Sequence, residues 1–205
     1  MKSDGLLIVI SGPSGVGKGT VCAKLLVAET KLKLSVSDTT RKPRKGEKNG
    51  INYSFITKEQ FLANMKNNAY LEWAEVYGNF YGTPKAAVKN NITIGRDTLL
   101  EIDPQGALLV KEQHPDGIFI FILPPNFETL ERRLRGRNTD TEETIRKRLD
   151  LFKEEIKQIP MYDYIVVNDD IEDTVKKVKA ILDVEHLRFE HTSVYADLLA
   201  EVDKL

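Results

Sequence analysis

The sequence predicts an α/β domain in which a buried parallel sheet carries helices on both faces. Two observations predict it. The first is a set of continuous apolar runs: LLIVI at residues 6–10, DTLLEI at 97–102, IFIFIL at 118–123 and YIVV at 164–167, separated by stretches with helical spacing. Strands covered on both faces lose the apolar–polar alternation of a half-exposed strand. The second is the segment ISGPSGVGKGTVC at residues 10–22, which follows the first run directly and opens a helical pattern. At 205 residues, with no internal repeat, low-complexity tract or Pro/Gly/Ser-rich hinge, the chain is expected to form one domain.

The glycine-rich segment fits the strand–GxxxxGK–helix pattern of a phosphate-binding loop, with Gly12, Gly17 and Lys18 in register. Glycines let the backbone turn tightly enough for successive N–H groups to point inward at a polyphosphate. The helix beginning near Gly17 adds its positive end, and Lys18 adds a mobile charge for the outer phosphates. A plain strand-to-helix turn needs one glycine, whereas Gly12, Gly15, Gly17 and Gly19 all lie here. Gly12, Pro13, Ser14, Gly15, Val16, Gly17, Lys18, Gly19 and Thr20 are therefore the expected triphosphate cradle. The residue after the lysine is usually Ser or Thr and binds magnesium, but here it is Gly19, with Thr20 next. That ending resembles the nucleoside monophosphate kinases, in which phosphates and water hold most of the metal. It argues against a motor or a switch GTPase.

Composition narrows the setting. A formal charge of -1 offers no global attraction to nucleic acid or an anionic membrane, so anion binding must come from local clusters. Cys22 is the only cysteine, which excludes an intrachain disulfide and suits a reducing cytoplasm; one turn into the helix, it reads as a small buried residue. The run at 6–10 is too short for a membrane span or a signal-peptide core. His114, His186 and His191 show no metal-ligand spacing and read as surface or capping residues.

Along the chain, residues 21–27 read as a helix and 32–36 as a second strand. The character changes at residues 37–50, SDTTRKPRKGEKNG, a basic loop without hydrophobic periodicity. Short strand-like pieces at 53–56, 70–76 and 78–83, with a helical stretch at 58–65, suggest a small antiparallel insertion overhanging the phosphate loop. Between residues 126 and 160, Leu130, Leu134, Ile145, Leu149, Phe152 and Ile156 keep helical spacing, interrupted at 136–140. The outward residues Arg132, Arg133, Arg135, Arg137, Arg146, Lys147 and Arg148 fit either a solvated hairpin paired with Glu142 and Glu143 or a cationic flap over a triphosphate. Residues 171–185 form an expected helix capped by residues 168–170. Val194, Leu198, Val202 and Leu205 make an apolar stripe that packs on the core or on another subunit.

Taken together, GPSGVGKGT, SVSDTTRKPRKGEKNGINYSF, YLEWAEVYGNFYGT, LEIDPQGA, RLRGRNTDTEETIRKRL and YIVVND resemble the guanylate kinase family, in that family's order and over roughly residues 4–186. The block TTRxPRxGExxGxxY is the most distinctive. The resemblance implies a P-loop nucleoside monophosphate kinase fold within residues 4–187. Its five-stranded parallel core comprises residues 4–36, 95–125 and 160–187, with a small mixed GMP-binding insertion at 37–94 and a helical lid at 126–159. Residues 188–205 would be a helical extension. The implied activity is transfer of the ATP γ-phosphate to GMP, with magnesium, in the cytoplasm, by a monomer or homodimer with no nucleic-acid or membrane partner.

The resemblance also implies roles. Lys18, Arg41, Arg137 and Arg148 match catalytic positions, and Arg133 and Asn168 join the ATP side, Asn168 near the adenine. On the GMP side, Arg41, Arg44, Tyr53 and Tyr81 grip the phosphate. Glu72, with Ser37 and Thr83, reads the base, because guanine offers N1–H and an N2 amino group that a carboxylate matches bidentately. Asp103 is placed both among the GMP-binding residues and for the magnesium-water shell, Thr20 is a further metal candidate, and Glu101 faces the GMP site where some relatives have Asp. Asp38 stands where relatives often have a small uncharged residue, and beside Arg41 it would weaken phosphate binding unless it orients the arginine. The alternatives are a kinase for another nucleoside monophosphate and a non-catalytic phosphopeptide-binding module of the same fold. The first lacks the TTRxPRxGE block, and the second usually has a degraded phosphate loop.

Overall fold

The structure, a computed structural model, describes residues 5–44, 46–76, 78–136, 141–192 and 194–203. In chain order the elements begin β1 (Leu7–Ser11), α1 (Lys18–Ala28), β2 (Lys33–Leu34), β3 (Asp38–Thr39), β4 (Ser54–Phe55), α2 (Lys58–Lys66), β5 (Tyr70–Val76), β6 (Asn79–Pro84) and α3 (Lys85–Thr93). They continue with β7 (Thr98–Glu101), α4 (Pro104–Gln113), β8 (Ile118–Leu123), α5 (Phe127–Arg135), α6 (Glu142–Glu155), a 3-10 turn (Ile156–Met161), β9 (Tyr164–Val167), α7 (Ile171–Glu185) and α8 (Val194–Val202).

Among the described residues, five strands form a wholly parallel sheet in the order β2-β7-β1-β8-β9. β1 shows why its sequence is apolar without a break. Ile8 and Ile10 join a cluster with Val21 and Leu25 of α1, Leu130 of α5 and Val178 of α7. Leu7 and Val9, on the opposite face, join Leu100, Ile102, Val110 and Phe119. Each fully buried aliphatic side chain contributes roughly 1.5–3 kcal/mol, so the central strand has to be hydrophobic on both faces. Cys22 is 1% exposed, the small core residue expected of it. In α7, Val175, Val178 and Leu182 keep the buried stripe, and the Asp170 carboxylate accepts the Asp173 N–H at 2.9 Å as N-cap.

The insertion forms a second sheet, β4-β3-β6-β5. It is mixed: β3 pairs antiparallel with β6 but parallel with β4, because the basic loop between β3 and β4 crosses over instead of forming a hairpin. Its own core stacks Phe61 on Tyr70 and Phe80, with ring centroids 4.5 and 5.4 Å apart. The second core strand, expected over residues 32–36, is confined to Lys33–Leu34 at the sheet edge.

His114 and His186 are the capping residues expected, closing α4 and α7, with His186 Nε2 2.8 Å from Asp97 Oδ2. The His191 side chain is instead mostly covered, its Nδ1 2.9 Å from the Glu185 carbonyl oxygen. Val194, Leu198 and Val202 are exposed, so the C-terminal stripe is not packed on the core; Leu205 lies outside the described residues. Among the described residues no helix is long and apolar enough to cross a membrane.

The sheet order places β1 between β7 and β8, with its carboxyl end at the switch point where doubly wound sheets bind ligands. The glycine-rich loop leaves β1 there.

Candidate active site

At the end of β1 the backbone turns at Gly12 with φ 141°, and a β-carbon there would stand 2.3 Å from the Ile122 carbonyl of β8. Only glycine fits both the conformation and the approach. Gly17, at φ 95°, is the N-cap of α1, and no side chain caps that helix, which leaves its first N–H groups to an anion. Lys18 folds back over the loop, its Nζ donating to the Gly12 carbonyl and, at 3.1 Å, to the Pro13 carbonyl. Burial lowers the Lys18 pKa, and the nearby Glu101, Glu155 and Asp103 carboxylates work against that shift. Glu101 is itself raised by burial, offset in part by Lys18.

Helices α5 and α6 and the β9–α7 turn hold the loop from outside. Asn168 is fully buried, donating from Nδ2 to the Val16 carbonyl at 2.6 Å and accepting from Thr174 Oγ1 at 3.0 Å. Arg133 donates to the carbonyls of Asn168 at 2.9 Å and Asp169 at 3.2 Å, and Arg148 Nη1 donates to Ser14 Oγ. Gly15 packs on α5, where a β-carbon would meet Leu134 Cδ2 at 2.8 Å. Asn168→Ala would strip the Val16 carbonyl of its buried donor, a loss of about 1–3 kcal/mol, whereas the Thr174 hydroxyl keeps the Asp170 carbonyl at 2.7 Å. The expected result is a matching drop in unfolding free energy, read by urea denaturation, together with weaker ATP binding.

Part of the arginine-rich hairpin pairs with acids as in the solvated reading. Arg135 pairs with Glu131 and Glu142, Arg146 with Glu142 at 3.7 Å and Lys147 with Glu143 at 2.7 Å, all on the solvated face. Arg148 turns instead to Ser14 of the phosphate loop, and Arg133 to the β9–α7 turn beside it. Arg137 lies outside the described residues.

A second polar cluster lines the insertion. Glu72 on β5 is 5% exposed, and its Oε1 accepts from Thr83 Oγ1 on β6 at 2.6 Å. Ser37 Oγ lies 3.2 Å from the same threonine oxygen. Burial pushes the Glu72 carboxyl up to about 7, with the Thr83 hydroxyl opposing the shift and Asp103 adding to it. Gly106, in the first turn of α4, backs this carboxylate: a β-carbon there would stand 2.7 Å from Glu72 Oε2. Asp103 caps the same helix, accepting the Gly106 N–H at 2.8 Å.

Arg41 makes a bidentate pair with Glu47, both contacts at 2.9 Å, and its guanidinium sits 5.4 Å from the Tyr53 ring centroid. Burial disfavours the Arg41 charge, but the Glu47 carboxylate and the Tyr81 hydroxyl outweigh it and raise the pKa. The Tyr53 and Tyr81 rings meet edge-on at 5.9 Å. The Arg44 N–H donates to Glu47 at 2.6 Å, and its side chain is exposed. Asp38 is a correction: its carboxylate faces Tyr70 Oη at 2.7 Å and Asn64 Nδ2 at 3.4 Å, and Glu47 is the acid paired with Arg41.

The guanylate kinase family model matches residues 5–185, which takes in the phosphate loop, the insertion and the hairpin alike. The chain belongs to the guanylate kinase family. It is 50% identical to a guanylate kinase of Halalkalibacterium halodurans over 98% of this chain and 99% of the relative. It is 52% identical to one of Caldanaerobacter subterraneus over 92% of this chain and 91% of the relative. The crystal structure of guanylate kinase from Anaplasma phagocytophilum superposes with a TM-score of 0.81 at 39% identity, covering 96% of this chain and 95% of that one.

Three residues of this guanylate kinase site escape sequence reasoning. Glu47 lies inside the TTRxPRxGE block, but a motif does not say which arginine its acid will hold. Gly106 is a helix residue whose importance rests on contact with a strand 34 positions earlier. Glu155, at the end of α6, is buried, and burial pushes it up to about 7 against the pull of Lys18. Its spacing in α6 marks it only as one more acid of a charged helix.

Proposed function

We propose that this chain transfers the γ-phosphate of ATP to GMP, giving ADP and GDP. The observation that carries the choice of acceptor is Glu72, a buried carboxylate held by one threonine hydroxyl and backed by a glycine. A carboxylate accepts about four hydrogen bonds, and guanine brings two adjacent donors where adenine brings none in that arrangement. Residues 37–94 supply the GMP site and residues 126–159 the lid.

In the reaction, the loop N–H groups and Lys18 hold the ATP phosphates in line with the GMP phosphate. Lys18 exchanges the Gly12 and Pro13 carbonyls for phosphate oxygens, and Arg41 exchanges Glu47 for the GMP phosphate, with Arg44, Tyr53 and Tyr81 beside it. Arg133, Arg137 and Arg148 close over the transferring group, which has a loose, strongly anionic transition state. Asn168 acts by fixing Val16 and the loop on the adenine side. Closure excludes water, which would otherwise compete as acceptor.

Among the described residues no three His, Cys, Asp or Glu side chains are grouped to hold a metal ion. Magnesium characteristically needs one or two carboxylates plus substrate phosphates, and Glu101 and Asp103 beside Lys18 offer that donor set. When bound with ATP, the ion supplies neutralisation of charge on the β- and γ-phosphates. Asp103 would hold its water shell, with Thr20, exposed on the first turn of α1, as a further oxygen.

Phosphorus NMR of a mixture with ATP and GMP is expected to show GDP and ADP rising together; ADP without GDP would refute the acceptor. A pH profile adds a sharper test. The Glu72 carboxyl, raised to about 7, takes up a proton as pH falls through neutrality and loses acceptor capacity. GMP kcat/KM should therefore fall about tenfold between pH 8 and pH 6, following the ionised fraction. Glu155 and the nucleotide phosphates titrate nearby, so Glu72→Gln is the control: it keeps their titration and loses the Glu72 limb.

A further inference from the structure

The three groups assigned to the guanine edge come from adjacent parts of one sheet: Ser37 just ahead of β3, Thr83 in β6 and Glu72 in β5. Glu72 depends on an irregularity. Residues two apart in a regular strand share a face, so Tyr70 and Glu72 ought to point the same way. The register of β5 on β6 slips between them: Tyr70 lies opposite Pro84 but Glu72 lies opposite Thr83, an extra residue that makes a β-bulge. The contacts follow the bulge. Leu71 joins the core cluster with Ala107 and Val110 of α4, and Glu72 lies against Gly106 of the same helix. Tyr70 turns the other way and stacks on Phe61. A regular strand that kept Tyr70 in place would send Glu72 toward the Phe61–Phe80 cluster and away from Thr83.

The bulge is held from both sides. Gln113 of α4 donates from Nε2 to the Leu71 carbonyl at 2.8 Å. On the other side the Tyr70 hydroxyl donates to Asp38 Oδ2 at 2.7 Å, and Asn64 Nδ2 of α2 donates to the Tyr70 oxygen at 3.1 Å. Asp38 belongs to β3, and β6 lies between that strand and β5. Tyr70 crosses the middle strand at Gly82, the residue paired with Asp38, where a β-carbon would stand 2.9 Å from Tyr70 Cδ1. Asp38 and Tyr70 are both buried, so water does not compete for the bond. We propose that Asp38 is a positioning residue for the choice of base: by holding Tyr70 across Gly82 it fixes the bulge that turns Glu72 toward guanine. This rests on the base-reading role proposed above for Glu72, and extends it to a carboxylate that acts only through Tyr70.

The test measures steady-state kinetics of the full chain with GMP and with AMP as acceptor, and the KM for ATP. Tyr70→Phe keeps the stacked ring and removes only the hydroxyl. It should raise the KM for GMP and narrow the GMP/AMP preference in kcat/KM by about tenfold, the factor that one hydrogen bond to a charged group gives, with the KM for ATP unchanged. Asp38→Ala should do the same, and Asp38→Asn, which keeps an oxygen to accept from Tyr70, should lose less. Tyr70→Phe combined with Asp38→Ala should be no worse than either alone, because both remove the same bond.

A wild-type GMP/AMP ratio in folded Tyr70→Phe would overturn the proposal and leave the bond as a strut of the insertion, visible only as a lower melting temperature. Equal rises in the KM for GMP and for ATP would overturn it as well, and so would strict additivity in the double variant. Failure of the wild type itself to prefer GMP over AMP would instead sink the reading of Glu72 beneath it. Thermal melts establish that each variant is folded, and Tyr70→Phe decides the matter even if Asp38→Ala does not fold.

Discussion

Lys18→Met is expected to leave a folded protein whose turnover is at least about a hundredfold below wild type. The side chain is half-buried, and its ammonium already bonds the Gly12 and Pro13 carbonyls. Those carbonyls are part of the cradle into which the triphosphate enters, so the ammonium has only a short distance to travel. Methionine keeps the length and the apolar stem but removes the charge. Losing one preorganised group aimed at the transferring phosphate typically costs about 2.7–4 kcal/mol of transition-state stabilisation, a factor of a hundred to a thousand. Stability should not suffer in proportion, because burial already works against the charged form of Lys18. Circular dichroism melts and a coupled ADP-release assay read the two halves separately. Turnover within a few-fold of wild type would remove Lys18 from the chemistry.

Glu72→Gln is expected to cut GMP kcat/KM at least about tenfold, the factor that 1.36 kcal/mol gives, and to narrow the preference for GMP over AMP. The geometry sharpens the expectation. Thr83 donates to one Glu72 oxygen at 2.6 Å, and Gly106 lies against the other. A glutamine that keeps the Thr83 bond through its carbonyl places an NH₂ where the second oxygen was, donor against guanine's donors. AMP gains relative to GMP because the desolvated carboxylate, which AMP leaves with Thr83 as its donor and its other oxygen unmatched at roughly 1–3 kcal/mol or more, is no longer there. The variant should be no less stable, since the wild-type carboxylate is raised to about 7 by its own burial. An unchanged GMP/AMP ratio on the folded variant would make Glu72 a structural strand residue.

The parts of this fold that were legible in the sequence are those governed by local pattern. IFIFIL and YIVV become β8 and β9 over the expected residues, and the helix expected at 171–185 becomes α7. β8 is buried on both faces as expected, but β9 is the edge strand and leaves Ile165 and Val167 exposed, so its apolar run reflects β-propensity and not burial on both sides. α3 was not legible. KAAVKNNIT buries only Val88, too little apolar signal to set a helix apart from the strand-rich pieces before it.

In the site, the phosphate loop and Glu72 could be placed from motif and chemistry. The bidentate grip of Glu47 on Arg41 and the backing of Glu72 by Gly106 depend on contacts that no spacing rule encodes. Asp38 shows the converse. Counted in the basic loop of residues 37–50, it was expected beside Arg41, but it belongs to β3 and its side chain turns toward Tyr70 and Asn64.

The most direct measurement is kcat/KM for GMP, AMP, CMP, UMP and TMP as acceptors, with ATP and magnesium saturating and product identity checked by chromatography. GMP is predicted to be converted to GDP far more efficiently than the other four, with one ADP formed per GDP. Equal or better use of another monophosphate, or ADP formation independent of any acceptor, would contradict the account.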